Sequence, residues 1–169
     1  ELMDWACQRA RERGYPYWKG FTTGKDAGLG GVSHIDYGIT TNGVRQYVRC
    51  LLEALDIREQ DITKAQTGGP DGDLGGNEIL ASKDRTTALV DGGGVLFDPE
   101  GLDRSELERL ARARLDSRHF DADKLGRQGF KVTVEDRDIR LPDGTQVPSG
   151  LAFRNEFHLD PRMAADLFV

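Results

Sequence analysis

The sequence predicts an α/β fold built on a parallel sheet, and three observations carry that prediction. A strand-like run, Ile62-Thr63-Lys64-Ala65-Gln66-Thr67, empties into the glycine-rich stretch Gly68-Gly69-Pro70-Asp71-Gly72-Asp73-Leu74-Gly75-Gly76. That stretch opens a helical segment from about Asp73 to Ala81, and a second strand-like run, Thr86 to Asp91, follows. Strand, helix and strand in so short a space make a βαβ unit, whose strands pair in parallel. Finally, Asp91 ends the second run about a strand and a helix after Gly72, the usual offset of an acidic residue in a nucleotide-binding unit of this kind.

Before that unit, residues 1–13 place Leu2, Trp5 and Ala6 on one face with arginines opposite, a helix closed by Gly14 and Pro16. Tyr15 to Gly38 reads as loop. A second helix, capped at Thr40 or Thr41, carries Val44, Tyr47, Val48, Leu51, Leu52 and Leu55 at helical spacing; the stripe is expected to pack, with Cys50 beside it. After the unit, Gly92-Gly93-Gly94 is a turn, and Asp103 caps a helix bearing Leu107, Leu110 and Ala111. Phe130 to Leu141 alternates and meets Pro142-Asp143-Gly144-Thr145 before Gln146-Val147, which predicts a hairpin at about 130–147. The closing run Ala164 to Val169 is expected to be the next parallel strand. The whole is a Rossmann-type α/β domain over 59–169 with a helical lead-in, 1–58, and an inserted β-hairpin.

The chain has 169 residues, 37% hydrophobic and 31% charged, which suits one domain with additional structure. A formal charge of −6 argues against a nucleic-acid partner, since phosphate backbones need a basic face. No apolar run approaches the ~20 residues that span a bilayer, and no leader pattern is present. Cys7 and Cys50 give neither a disulfide framework nor metal spacing, so a cytoplasmic, reducing setting is expected. The start at Glu1 and the apolar finish at Val169 lead us to expect an excerpt of a longer polypeptide.

The glycine stretch admits more than one chemistry. Gly72 and Gly75 match the second and third glycines of a dinucleotide fingerprint, with Pro70 at the first and Gly68 and Gly69 available for the tight turn. Glycines let a backbone approach a pyrophosphate, a helix N-terminus donates amides to it, and Asp91 takes ribose hydroxyls while repelling the extra phosphate of NADP. Asp71 and Asp73 are awkward beside a pyrophosphate unless they point away or cap the helix. A purely structural glycine turn stays open. A calcium loop starting at Asp71 lacks acidic ligands at Gly75 and Ser82. Thr23-Gly24-Lys25 fails as a phosphate loop because Asp26 stands where a magnesium-holding hydroxyl is needed. His34, His119 and His158 share no ligand spacing, although His34 lies near Asp36.

Taken together, Trp18–Lys25, Gly30–His34, Tyr37–Thr41, Thr67–Gly75, Val90–Gly94, Asp98–Asp103, Leu141–Thr145 and Phe153–Leu159 resemble the NAD-dependent glutamate dehydrogenases, in particular their large-subunit branch. The resemblance covers nearly the whole chain, and in it the unusual Pro70 fits. It implies oxidative deamination of L-glutamate to 2-oxoglutarate and ammonia with hydride transfer to NAD. It puts Gly69, Gly72, Asp73, Leu74 and Gly75 along the pyrophosphate, Asp91 at the adenosine ribose and Thr40 at the nicotinamide carboxamide, with Thr41 replacing the family's usual glycine. It also implies that no catalytic residue lies in this chain: the substrate-binding lysines and the proton-moving aspartate belong upstream, and the domain is truncated at its C-terminus. The chain alone is expected to be inactive. L-glutamate and 2-oxoglutarate are then partners of a full-length homo-oligomeric enzyme, with no nucleic acid and no membrane. A non-catalytic nucleotide-sensing or scaffold module with the same fold is the alternative.

Overall fold

The computed structural model describes residues 2–22 and 24–169. Glu1 lies outside the described residues, as does Thr23 of the rejected phosphate-loop segment. The chain divides into two compact units, Glu1–Thr40 and Thr41–Val169.

In the first unit, α1 (Leu2–Glu12) buries Cys7 and Ala10. The Cys7 thiol donates to the Trp18 carbonyl at 3.1 Å, which ties the following loop to the helix. Asp4 accepts from the Asp26 backbone N–H at 2.7 Å. The stretch expected to be plain loop contains short 3-10 turns at Trp18–Gly20 and Ala27–Leu29 and a one-turn helix, α2 (His34–Tyr37), N-capped by Ser33. Gly38, at φ 56°, ends α2 in the left-handed conformation that favours glycine.

Helix α3 (Ile39–Ala54) begins one residue before Thr40, so Thr40 and Thr41 sit in its first turn and cap nothing. Its expected packing stripe is only partly buried. Val48 is 6% exposed, but Tyr47, Leu51 and Leu55 are 78%, 61% and 65% exposed, and Cys50 is exposed too. Helical periodicity says which residues share a face and leaves open what covers that face.

In the second unit the sheet has the order β4-β3-β2-β1-β7. Strands β1 (Thr63–Thr67) and β2 (Arg85–Val90) pair in parallel across α4 (Asp73–Ala81). Strand β7 (Leu167–Phe168) joins the other edge of β1 in parallel, as the closing apolar run predicted. Between them, β3 (Gly94–Phe97) turns back antiparallel to β2, a strand that four residues behind a glycine turn are too short to signal. The single alternating run expected from Phe130 to Leu141 is two strands. Its first part, β4 (Phe130–Thr133), pairs with β3 in the main sheet, while β5 (Arg137–Arg140) forms the hairpin with β6 (Gln146–Ser149). The break is a local turn in which the Asp136 carboxylate accepts from Thr133 N at 2.7 Å. Helix α5 (Arg104–Ala113) starts at Asp103, whose side chain accepts from Glu106 N as a cap should. Helix α6 (Gly150–Glu156) follows the hairpin.

Successive residues of the central strands serve opposite cores, because side chains alternate across a sheet. Ala88, Val90, Val95 and Val132 pack with Phe130, Phe157 and the hairpin residues Leu141 and Val147 on one face. Leu89 and Leu96 pack with Ile79, Leu107, Leu110 and Phe120 under α4 and α5 on the other. Burial on both faces explains why the second half of β2, Ala88-Leu89-Val90, is unbroken apolar sequence. Among the described residues no helix is long and apolar enough to cross a membrane.

Candidate functional site

The site is built where β1 ends. Gly68 leaves the strand at φ 107°. The chain then crosses Gly69, Pro70 and Asp71 to Gly72, which is the N-cap of α4 and has no side chain to close it. Asp73, expected at or near the cap, is the first helical residue, and its carboxylate accepts from the next amide, Leu74 N, at 2.8 Å. No hydrogen bond within the described residues engages the Asp73 or Gly75 N–H. The α4 N-terminus therefore presents free donors and the positive end of its dipole.

The glycines divide by what a side chain would strike. A Cβ on Gly75 would meet the Gly68 carbonyl oxygen at 2.5 Å, and one on Gly76 the Pro70 carbonyl oxygen at 2.5 Å. These two let the helix lie directly on the loop. A Cβ on Gly69 would collide with both Asp71 Oδ1 and Asp91 Oδ2. Gly72 is different: its backbone is extended, and the nearest atom to an added Cβ is Gly69 O at 3.4 Å, an ordinary contact. Among the described residues no packing calls for glycine at that position.

Buried polar groups brace the loop from below. Gln66, fully buried, donates through Nε2 to the carbonyls of Gly68 (2.8 Å) and Gly75 (3.2 Å), tying the strand end to the first turn of α4. Two residues earlier on the same face, Lys64 Nζ lies 3.3 Å from Glu78 Oε1, 3.1 Å from Asp84 Oδ2 and 3.0 Å from Ser82 Oγ. Glu78 is shared with Arg45 of α3, which donates to Glu59 through both terminal guanidinium nitrogens, Nη1 and Nη2. The net effect lowers the Glu59 pKa: burial, the largest single influence, raises it, and the Arg45 hydrogen bond, the Lys83 backbone hydrogen bond and the charges of Arg45 and Lys64 together outweigh it. Leaving such a buried charge without its partner costs roughly 3–5 kcal/mol. Sequence reasoning did not single out Gln66 or Lys64. Their signal was polar side chains alternating along a strand buried on both faces. Thr41 Oγ1 adds a bond to the Leu74 carbonyl at 3.1 Å. From the end of α5, Arg114 holds the Gly72 carbonyl through Nη1 at 2.7 Å, itself in the left-handed conformation at φ 54°.

Asp91 ends β2 and is 4% exposed. Its Oδ1 accepts from Gly93 N (2.7 Å), Gly94 N (3.1 Å) and Ser117 Oγ (2.5 Å), and its Oδ2 from Ser117 N (2.8 Å). The neighbouring Asp116 has its pKa lowered by the Arg118 guanidinium it bonds, with His119 adding a second contact. Thr40 is exposed in the first turn of α3 and belongs to the first unit. Among the described residues no group of three or more His, Cys, Asp or Glu is arranged to hold a metal ion.

A sheet whose strands β2, β1 and β7 run parallel, with a glycine loop at the C-terminal end of β1 opening a helix, is the Rossmann-like α/β class, here extended by the antiparallel β3 and β4. A solved structure of a mutant glutamate dehydrogenase has the same fold: TM-score 0.51, 24% identity, 75% of this chain and 29% of that one covered. The glutamate/leucine/phenylalanine/valine dehydrogenase family profile matches residues 30–158, and the chain belongs to that family. It is 54% identical over its whole length to a protein named glutamate dehydrogenase 2 of Dictyostelium discoideum and 50% identical to the NAD-specific glutamate dehydrogenase of Neurospora crassa. The chain spans 16% of the length of each of these two relatives.

Proposed function

We propose that this chain is the cofactor-binding part of an NAD-dependent glutamate dehydrogenase. The observation that carries the reading is the pairing of Asp73 and Gly75 amides that lack an acceptor among the described residues with a glycine, Gly72, that no contact among those residues requires. A pyrophosphate lying over Gly72 would engage those amides and the α4 dipole, so the residues fit the group. The names of the half-identical relatives support NAD and glutamate as its ligands.

In this proposal Gly69, Gly72, Asp73, Leu74 and Gly75 line the pyrophosphate, Asp91 faces the adenosine ribose, and Thr40 fixes the nicotinamide carboxamide. Bound NAD supplies the hydride acceptor for oxidation of L-glutamate to 2-oxoglutarate. The chain's own residues orient it: Gln66 and Arg114 hold the loop, and the Lys64 network fixes α4. Residues 1–58 serve as the lead-in toward a substrate domain, with 59–169 as the nucleotide domain. Substrate-binding lysines, the proton-moving aspartate and homo-oligomer contacts are assigned to the longer enzyme. Two free cysteines suit a cytoplasmic setting.

The test is a calorimetric titration of the chain with NADH and, in parallel, NADPH. Saturable binding with NADH preferred is the expected result, alongside no glutamate-dependent NADH formation by the chain alone. Failure to bind either nucleotide, by a chain with a cooperative melting transition, refutes the reading.

A further inference from the structure

Asp91 has fewer free lone pairs than a ribose has hydroxyls. A carboxylate oxygen offers about two acceptor directions. Oδ1 already takes three donors, and Oδ2 takes one, from Ser117 N. One direction is left, on Oδ2, while a ribose 2′,3′-diol brings two donors.

The fold sets a second acceptor beside it. Asp71 Oδ1 and Asp91 Oδ2 both crowd the point that a Cβ on Gly69 would occupy, so they face each other across the space of one methyl group. Among the described residues the Asp71 side chain has no hydrogen-bond or ion-pair partner. Two carboxylates that close repel unless a donor or cation lies between them. The polar side chain that was awkward for a pyrophosphate is therefore well placed for its neighbour, the sugar.

The geometry points to Asp71 as a specificity-determining residue: it accepts one hydroxyl of the adenosine ribose while Asp91 Oδ2 accepts the other. This rests on the dinucleotide reading above and deepens it. A 2′-phosphate would remove a donor and meet two carboxylates instead of one, so discrimination against NADPH comes from the pair. Gly69 is glycine because a side chain would fill the gap that receives the diol.

The test titrates the chain, Asp71→Ala and Asp71→Asn with NADH, NADPH and the 2′-deoxy and 3′-deoxy adenosine-ribose analogues of NADH. One charge-assisted hydrogen bond is worth on the order of tenfold in affinity. Asp71→Ala is expected to weaken NADH about tenfold, to narrow the NADH preference, and to abolish the penalty for one deoxy analogue while keeping it for the other. Asp71→Asn keeps an acceptor, so both deoxy penalties should persist while NADPH discrimination relaxes. Unchanged penalties and an unchanged NADH to NADPH ratio in Asp71→Ala overturn the assignment, as does equal weakening of every ligand. Calcium or magnesium binding by the wild type that Asp71→Ala abolishes would show a cation bridge in place of a sugar. No NADH binding by the wild type would instead defeat the dinucleotide reading itself.

Discussion

Two glycine turns leave the C-terminal ends of neighbouring parallel strands, and they do opposite things. The turn after β1, from Gly68 to Gly72, opens a helix and leaves the Asp73 and Gly75 amides free. The turn after β2, from Asp91 to Gly94, doubles back into β3, and its Gly93 and Gly94 amides both go to Asp91 Oδ1. Composition does not separate them. What separates them is what the amide hydrogens meet: no acceptor among the described residues in the first turn, a carboxylate that ends the strand in the second.

Filling the first turn should have the largest effect. Gly75→Val drives a branched side chain into the Gly68 and Gly69 carbonyls, and a loss of about 2–3 kcal/mol is expected by denaturant titration, with NADH binding abolished. A Gly75→Val protein that kept NADH affinity would end the distinction drawn between the turns. Second comes the acid that engages the other turn: Asp91→Ala leaves the Gly93, Gly94 and Ser117 donors without their buried acceptor. About 2 kcal/mol should be lost, together with preference for NADH.

Asp116 sharpens the comparison at low pH. Its bond to Arg118 holds its pKa below the usual 3.8, so its contribution is complete above that value and lost as pH falls through the folded one. Asp116→Asn should therefore lower the melting temperature at pH 7 and flatten its decline below about pH 4, so that variant and wild type converge in acid. The smallest effect belongs to Gly92→Ala. Nothing lies within 4 Å of an added Cβ and its φ is not left-handed, so stability should stay within about 0.5 kcal/mol and NADH affinity should not move.

Much of this was legible along the chain. The βαβ unit, the α4 boundaries, the Asp103 cap and the parallel closing strand all rest on local signals: caps, periodicity and glycine punctuation. The exposed Tyr47, Leu51 and Leu55 were misread because a stripe does not name its partner. The Phe130–Leu141 run was read as one strand because the turn at Asp136 carries neither glycine nor proline.

By itself, the sequence determined the Rossmann-like class, the glycine loop at the end of β1 and the acidic residue at the end of β2. Each is written in residues adjacent in the chain, and the physics that reads them is local. Tertiary structure decided the rest. It brought Ser117 to Asp91 from 26 residues away, Arg114 to Gly72 from 42, and Arg45 to Glu78 from 33. Such contacts set which acceptors are saturated and which donors stay free, and saturation depends on partners that meet only once the chain has folded.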